Sequence, residues 1–366
     1  PVLREYIISE YMNSINIPTT RSLAAITTGE KVVRERILPG AILVRISNSH
    51  VRVGTFQYFA ARKMTKEIKI LADYIIKRHF QLSLSSKNIY ERFLLEIIKS
   101  QANLTSKWMN AGFIHGVMNT DNTCLSGETI DYGPCAFMDI FDYNKVFSSI
   151  DYQGRYSYKN QPNIILWNLT RFAETILPLI DNNLNKSIKK AEEILNEFAY
   201  IYESNWISMM GQKLGINDVK KTDKNLIEEF LTLMQNQQLD FTNSFYSLSF
   251  LIEKDQIEKE GPPKSHRIYS KIKSSDWYAK WTKRLNINKT NLKKILKTLL
   301  INNPSIIPRN HIVEKVLNDA INENKKDSLN EFLNALNDPY KLRTFDDPYT
   351  KPPSPNEEVT QTFCGT

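Results

Sequence analysis

Apolar residues in the opening stretch VLREYIISEYMNSI recur at Leu3, Tyr6, Ile7 and Tyr11, the spacing of one helical face. After the turn NIPTT the pattern changes. SLAAITT, KVVRERI, AILVRI and VRVGTFQYF are runs rich in β-branched and aromatic residues, the later ones separated by Pro39-Gly40 and SNSH. They predict the strands of a small antiparallel sheet. From residue 64 onward the helical period returns and persists. It predicts helices over 64–80, 88–110 (ending at Gly112), 164–180, 184–210, 226–236, 241–253, 291–300, 312–321 and 328–336. EKEGPPKSHR reads as an exposed loop, and the tail DDPYTKPPSPNEEVTQTFCGT, rich in Pro and acid, as extended or disordered. The fold class expected is therefore α+β, a small helix-and-strand part followed by a large helical part.

Composition narrows the function classes. No apolar run approaches the 18 or so residues that span a bilayer, so a membrane partner is not expected. The opening segment is amphipathic and charged, unlike a signal peptide. It begins without a methionine, which suggests a fragment. The net charge of +8 suits an anionic partner, but Lys and Arg are spread along the whole chain. That distribution argues against a nucleic-acid face and leaves nucleotide phosphates as the simpler anion. Three cysteines without CxxC spacing and five scattered histidines argue against a disulfide framework or a structural zinc site.

Chemistry-bearing residues gather in HGVMNTDNTCLSGETIDYGP, residues 115–134, which holds three of the chain's 12 glycines. The spacing from His115 to Asn122 is that of the HxDxxxxN catalytic loop of protein kinases. Asp131-Tyr132-Gly133 follows as an Asp-aromatic-Gly triplet. An amide oxygen and a carboxylate on adjoining loops suit a hard divalent cation bridging nucleotide phosphates. Gly133 is expected to permit the turn that aims Asp131. Val117 stands where a kinase has its catalytic Asp, so either the chain is catalytically silent or another group takes the proton; Asp121 is the available carboxylate. Arg45 and Arg52, on or beside the predicted strands, could clamp phosphates. Glu5, on the first helix, sits where a kinase's pairing Glu sits. His115 is expected to hydrogen-bond the loop backbone, and Cys124 to be a small loop side chain.

The segments REYIISEYMNSINIPTTRSLA, PGAILVRISNSHVRVGTFQYF, FIHGVMNTDNTCLSGETIDYGPCAFMD, RYSYKNQPNIILWNLTRFAETILPLI and LDFTNSF together resemble the selenoprotein O family of protein adenylyltransferases, the YdiU-type kinase-like proteins of bacteria. The resemblance implies a two-lobed protein-kinase-like fold: a partial small lobe over 1–60, a helical lobe over 61–345 with the loop 115–122 and the motif 131–133, and an extended tail over 346–366. It implies transfer of AMP from ATP, bound in an orientation flipped relative to kinases, to Ser, Thr or Tyr hydroxyls of proteins. Asn122 and Asp131 would bind Mg2+ or Mn2+, Asp121 would accept the proton, and Arg45 and Arg52 would contact the phosphates.

Glu5 would pair with a phosphate-binding lysine. The family pattern places that lysine, the glycine-rich loop and an Asp-Gly nucleotide contact upstream of Pro1, so activity of this chain is expected to be reduced. A cysteine near the C-terminus of family members implies a redox pair of Cys135 and Cys364. The expected state is a monomer in the cytoplasm, or in mitochondria were the source eukaryotic. The alternatives are a silent pseudokinase that binds nucleotide as a scaffold and, less well supported given Val117, a conventional phosphotransferase.

Overall fold

The computed structural model describes residues 1–33, 37–252, 267–288, 291–321 and 326–363. Helix α1 (Val2–Ser14) buries Ile7, Ile8, Tyr11 and Met12. Leu3 and Tyr6 of the expected face are only half-buried, and Arg4 and Glu5 are buried instead. Ionic side chains inside a helix face need partners there, and both find them in the site below.

Strands β1 (Arg21–Val33) and β2 (Ile37–Ile46) pair antiparallel, Ser22 opposite Arg45 and Thr27 opposite Ala41, with register shifts between Ser22 and Ala24 and between Thr27 and Lys31. SLAAITT and the start of KVVRERI thus belong to one strand rather than two. Pro39 is accommodated within β2, opposite Lys31. Residues 34–36 of KVVRERI lie outside the described residues.

The last expected strand is a helix. VRVGTFQYF forms α2 (Val53–Ala61), which buries Val53 and Phe56, three apart, with Phe59 and Ala60 packed behind them. Phe56 meets Phe172 edge-on, ring centroids 5.1 Å apart. In so short a segment alternation of bulky residues mimics a strand, and packing decides.

The expected helices over 64–80 and 88–110 appear as α3 (Thr65–His79) and α4 (Ile89–Ala111), α4 ending on Gly112 at φ 67°. That left-handed residue is the helix stop glycine supplies most easily. Helix α5 (Gln161–Ile180) packs on α2 and α4. The run expected as one helix over 184–210 is divided at Asn196 into α6 (Leu184–Leu195) and α7 (Glu197–Lys213). Both halves contact α4, and dividing the run lets each present its own buried face.

Helices α8 (Lys224–Gln237) and α9 (Phe241–Ile252) follow, then Arg267–Lys273, Asp276–Leu285, Leu292–Asn302, Asn310–Ile321 and Lys326–Leu336. The first two of these last five had no counterpart in the sequence pattern. Asp276–Leu285 is capped by Ser275, which accepts from the Tyr278 N–H, and buries Trp277 and Trp281 one turn apart. The loop EKEGPPKSHR falls outside the described residues except for Arg267.

Among the described residues two large hydrophobic cores result, beside a small cluster of Tyr246, Phe250 and Phe345. One gathers α1 to α6 with Ile306, Val313, Val316 and Phe332; the other gathers α7 to α9 with Trp277, Trp281, Ile295 and Leu299. A minimal ribbon straddles them. Strand β3 (Phe113–Ile114) pairs with β4 (Ala136–Phe137), Phe113 opposite Phe137 and Ile114 opposite Ala136. The phenylalanines enter the first core and Ile114 and Ala136 the second, because successive strand residues face opposite sides. The motif loops leave this ribbon and are anchored from both sides.

Arg309 is fully buried behind the ribbon. It pairs with Asp139 and with Asp240 (2.7 Å) and donates to the Thr350 carbonyl (3.1 Å), joining the segment after β4, the residue before α9 and the tail. No described helix is long and apolar enough to cross a membrane.

Candidate active site

Leaving β3, the chain enters residues 115–122. His115 is fully buried: its backbone N–H donates to Gln161 Oε1 (3.0 Å), and its ring Nε2 meets the Ile130 carbonyl at 2.9 Å. Burial lowers its pKa, with Asp131 pulling the other way, so the neutral ring ties one motif loop to the other. This matches the backbone-bonding role expected for it. The next residue explains one glycine. Gly116 has φ +81°, and a Cβ there would stand 2.7 Å from the Pro134 carbonyl, so the two loops touch backbone to backbone.

Val117 is buried, and it contributes its main chain. Its carbonyl accepts from Asn122 Nδ2 at 2.9 Å. The amide's donor end is thereby fixed and its oxygen is the end that can ligate a cation. Asn122 closes the short 3-10 turn Thr120–Asn122, on which Asp121 is exposed and Asn122 half-buried. The turn is held against α2: the Val53 N–H donates to the Thr123 carbonyl (3.0 Å), the Leu125 N–H to Val51 (3.0 Å), and Arg52 bridges Cys124.

Asp131 sits on the second loop with φ +68°. This corrects the expectation for Gly133, which is not among the residues in the left-handed region; the aspartate itself makes the turn. Its Oδ1 accepts weakly from the Gly133 N–H (3.3 Å). A left-handed non-glycine residue is uncommon and collects at functional sites.

Glu5 reaches this loop from α1. Its Oε1 accepts from the Tyr132 N–H (2.5 Å) and its Oε2 from Arg45 Nη2 (2.8 Å). Burial raises its pKa, and Arg45 lowers it less. The expected partner was a lysine; the partner present is Arg45, which is therefore engaged by a carboxylate at the site. Arg52, the N-cap residue of α2, has its buried Nε without a hydrogen-bond partner. That unsatisfied donor is what an anion would satisfy. Both arginines act on the Cys124 thiol, which burial nonetheless pushes up to about 12. Cys124 is accordingly a buried loop thiol, as expected.

Sequence reasoning missed Arg4 and Gly54. Arg4 Nη2 donates to the Cys135 carbonyl (2.6 Å) and to Asn310 Oδ1 (3.2 Å), and Nη1 pairs with Glu314 (3.3 Å). The only signal was its place beside Glu5. Gly54 packs against Asp121, and nothing in the sequence joins those positions. Cys135 is buried, its Sγ is 3.2 Å from the Tyr132 carbonyl, and burial pushes its thiol up to about 12. Cys364 lies outside the described residues, but the tail before it docks here. The Thr362 N–H donates to Phe147 (2.7 Å), and its hydroxyl to the Pro134 carbonyl, next to Cys135.

These loops present oxygen donors and arginines, and no group of three or more His, Cys, Asp or Glu side chains able to hold a metal occurs among the described residues. A metal here would take one amide and one carboxylate and complete its shell with phosphate oxygens and water, the mode Mg2+ favours. The donor set fits. In comparison with known proteins, the family model for protein adenylyltransferase SelO matches residues 2–337. The chain belongs to the SelO family.

Among its relatives are proteins named protein nucleotidyltransferase YdiU. That of Clostridium botulinum strain 657 is 48% identical over 369 residues, covering all of this chain and 72% of the relative. That of Clostridium perfringens ATCC 13124 is 48% identical over 366 residues, with 100% and 72% covered. That of Bacillus cereus ATCC 14579 is 46% identical over 366 residues, with 100% and 73% covered. The SelO-family chain is thus an enzyme of the nucleotidyltransferase class, and residues 115–134 lie inside the matched region.

Proposed function

We propose that this chain transfers AMP from ATP to Ser, Thr or Tyr hydroxyls of protein substrates, as a cytoplasmic monomer with a kinase-like division into a small part (1–60), a helical part (61–345) and a tail (346–366). The observation that carries the reading is the orientation of Asn122 by the Val117 carbonyl. It leaves the Asn122 amide oxygen available on a loop pinned to the one that bears left-handed Asp131.

Asn122 and Asp131 would hold Mg2+ or Mn2+, which when bound neutralises phosphate charge as a phosphorus–oxygen bond breaks. Arg52 offers its unpartnered Nε, and Arg45, steadied by Glu5, adds a second guanidinium for the phosphates. The substrate hydroxyl oxygen attacks the α-phosphorus. The bond from that phosphorus to the oxygen bridging it to the β-phosphate breaks, and pyrophosphate departs with the electron pair. The hydroxyl proton passes to Asp121, whose exposure lets it meet a protein substrate.

A kinase would use a carboxylate where Val117 stands, and that buried apolar side chain argues against ordinary γ-phosphoryl transfer. The test is incubation with a divalent metal and ATP labelled at either the α- or the γ-phosphate. Label is expected to reach protein from the α position only; transfer from γ alone overturns the reading.

Cys135 and Cys364 are proposed as a redox pair. Docking of Thr362 on Pro134 brings the tail to the residue before Cys135, and a small-molecule disulfide such as oxidised glutathione would be the electron acceptor. Peptide mapping without reductant after that treatment should recover a Cys135–Cys364 crosslink. Only unlinked cysteine peptides in oxidised protein would end the idea.

A further inference from the structure

We propose that Gly54 is a positioning residue that sets the place of the Asp121 carboxylate, an inference that rests on the proton-accepting role given to Asp121. Gly54 lies in the first turn of α2, outside the left-handed region. Its backbone would accept an alanine, which helix propensity alone favours over glycine there. What excludes a side chain is Asp121. A Cβ built on Gly54 overlaps Asp121 Oδ1, comes to 3.0 Å from Cγ and 3.5 Å from Cα.

The turn bearing Asp121 cannot easily back away. The Val53 N–H holds the Thr123 carbonyl at 3.0 Å, and the Asn122 N–H and Thr123 hydroxyl both hold the Asn119 carbonyl, at 3.0 and 3.1 Å. A methyl group at position 54 therefore displaces the carboxylate by rotation about its own bonds and leaves the loop in place. Such a shift matters to a proton acceptor, whose efficiency depends on hydrogen-bond reach of the hydroxyl. It matters little to nucleotide binding through Arg45, Arg52, Asn122 and Asp131.

The test is a double-mutant cycle of Gly54→Ala and Asp121→Ala, read by transfer from α-labelled ATP and by thermal unfolding. In the Asp121 background, Gly54→Ala is expected to lower kcat about 10- to 100-fold, with KM for ATP within about twofold. In the Asp121→Ala background it should lower kcat no further. The melting temperature should fall on Gly54→Ala when Asp121 is present and hold or rise when it is absent.

Unchanged kcat in Gly54→Ala, or an equal loss in both backgrounds, overturns the proposal. Full activity in Asp121→Ala instead overturns the catalytic reading of Asp121. The thermal cycle separates these failures: a sign change with Asp121 keeps the packing relation between the two positions, and its absence removes it.

Discussion

Asp131→Gly is expected to abolish AMP transfer, a loss of at least about a thousandfold or roughly 4 kcal/mol of transition-state stabilisation, in a protein at least as stable as the parent. Glycine separates two effects that alanine would mix. Asp131 holds φ +68°, a conformation costing an L-residue about 1–2 kcal/mol that glycine adopts freely. Removing the side chain in this way relieves the backbone while deleting the carboxylate. If strain rather than ligation were the contribution of Asp131, activity would survive in proportion to fold. Asp131→Asn retains the shape and removes the charge, and it should sit near the glycine variant in rate. Thermal unfolding and α-label transfer on the same preparations check both halves; an active, stabilised Asp131→Gly would remove this residue from the metal site.

The second large effect concerns stability. Arg309→Ala is expected to cost about 3–5 kcal/mol, because it leaves the buried Asp240 and the half-buried Asp139 without the guanidinium they share. It also strips a donor from the Thr350 carbonyl, so the tail should loosen with the core. Burial already raises the Asp139 carboxyl to about 6 against the pull of Arg309, and without that guanidinium it rises further above its unfolded value. Protonation of Asp139 then relieves the stranded charge, and the deficit should narrow as pH falls and widen as pH rises through that raised value. Urea unfolding across that range checks it. A deficit independent of pH would mean that lost packing, not stranded charge, is the cause.

Much of this was legible in the chain. The apolar period of 64–80 and 88–110 marked α3 and α4 within a residue or two, since long amphipathic helices carry the strongest pattern. The His115-to-Asn122 spacing singled out the loop, whose two ends are tied by His115 to the Ile130 carbonyl and by Asn122 to the Val117 carbonyl. Tertiary packing hid the rest. VRVGTFQYF has a strand's composition and became a helix that buries Val53 and docks Phe56 against Phe172 of α5. DWYAKWTKRL is short and charged, and only the burial of its two tryptophans reveals it.

Lys213 reads as a surface lysine. It is 3% exposed, its ammonium 4.6 Å from the ring centre of Phe245 and 5.5 Å from that of Phe241, and burial lowers its pKa to about 7. Glu5 was matched to a lysine by analogy, whereas its real partners, Arg45 and the Tyr132 N–H, come from a strand and a loop far along the chain. No local pattern encodes such long-range pairings.

The claim beneath the catalytic proposal is that Asn122 and Asp131 share one divalent ion. Electron paramagnetic resonance of Mn2+ with the protein and a non-hydrolysable ATP analogue measures this without turnover. One bound ion per chain, weakened at least about tenfold by Asn122→Ala and by Asp131→Gly alike, is the result expected; undiminished Mn2+ binding in either variant contradicts it.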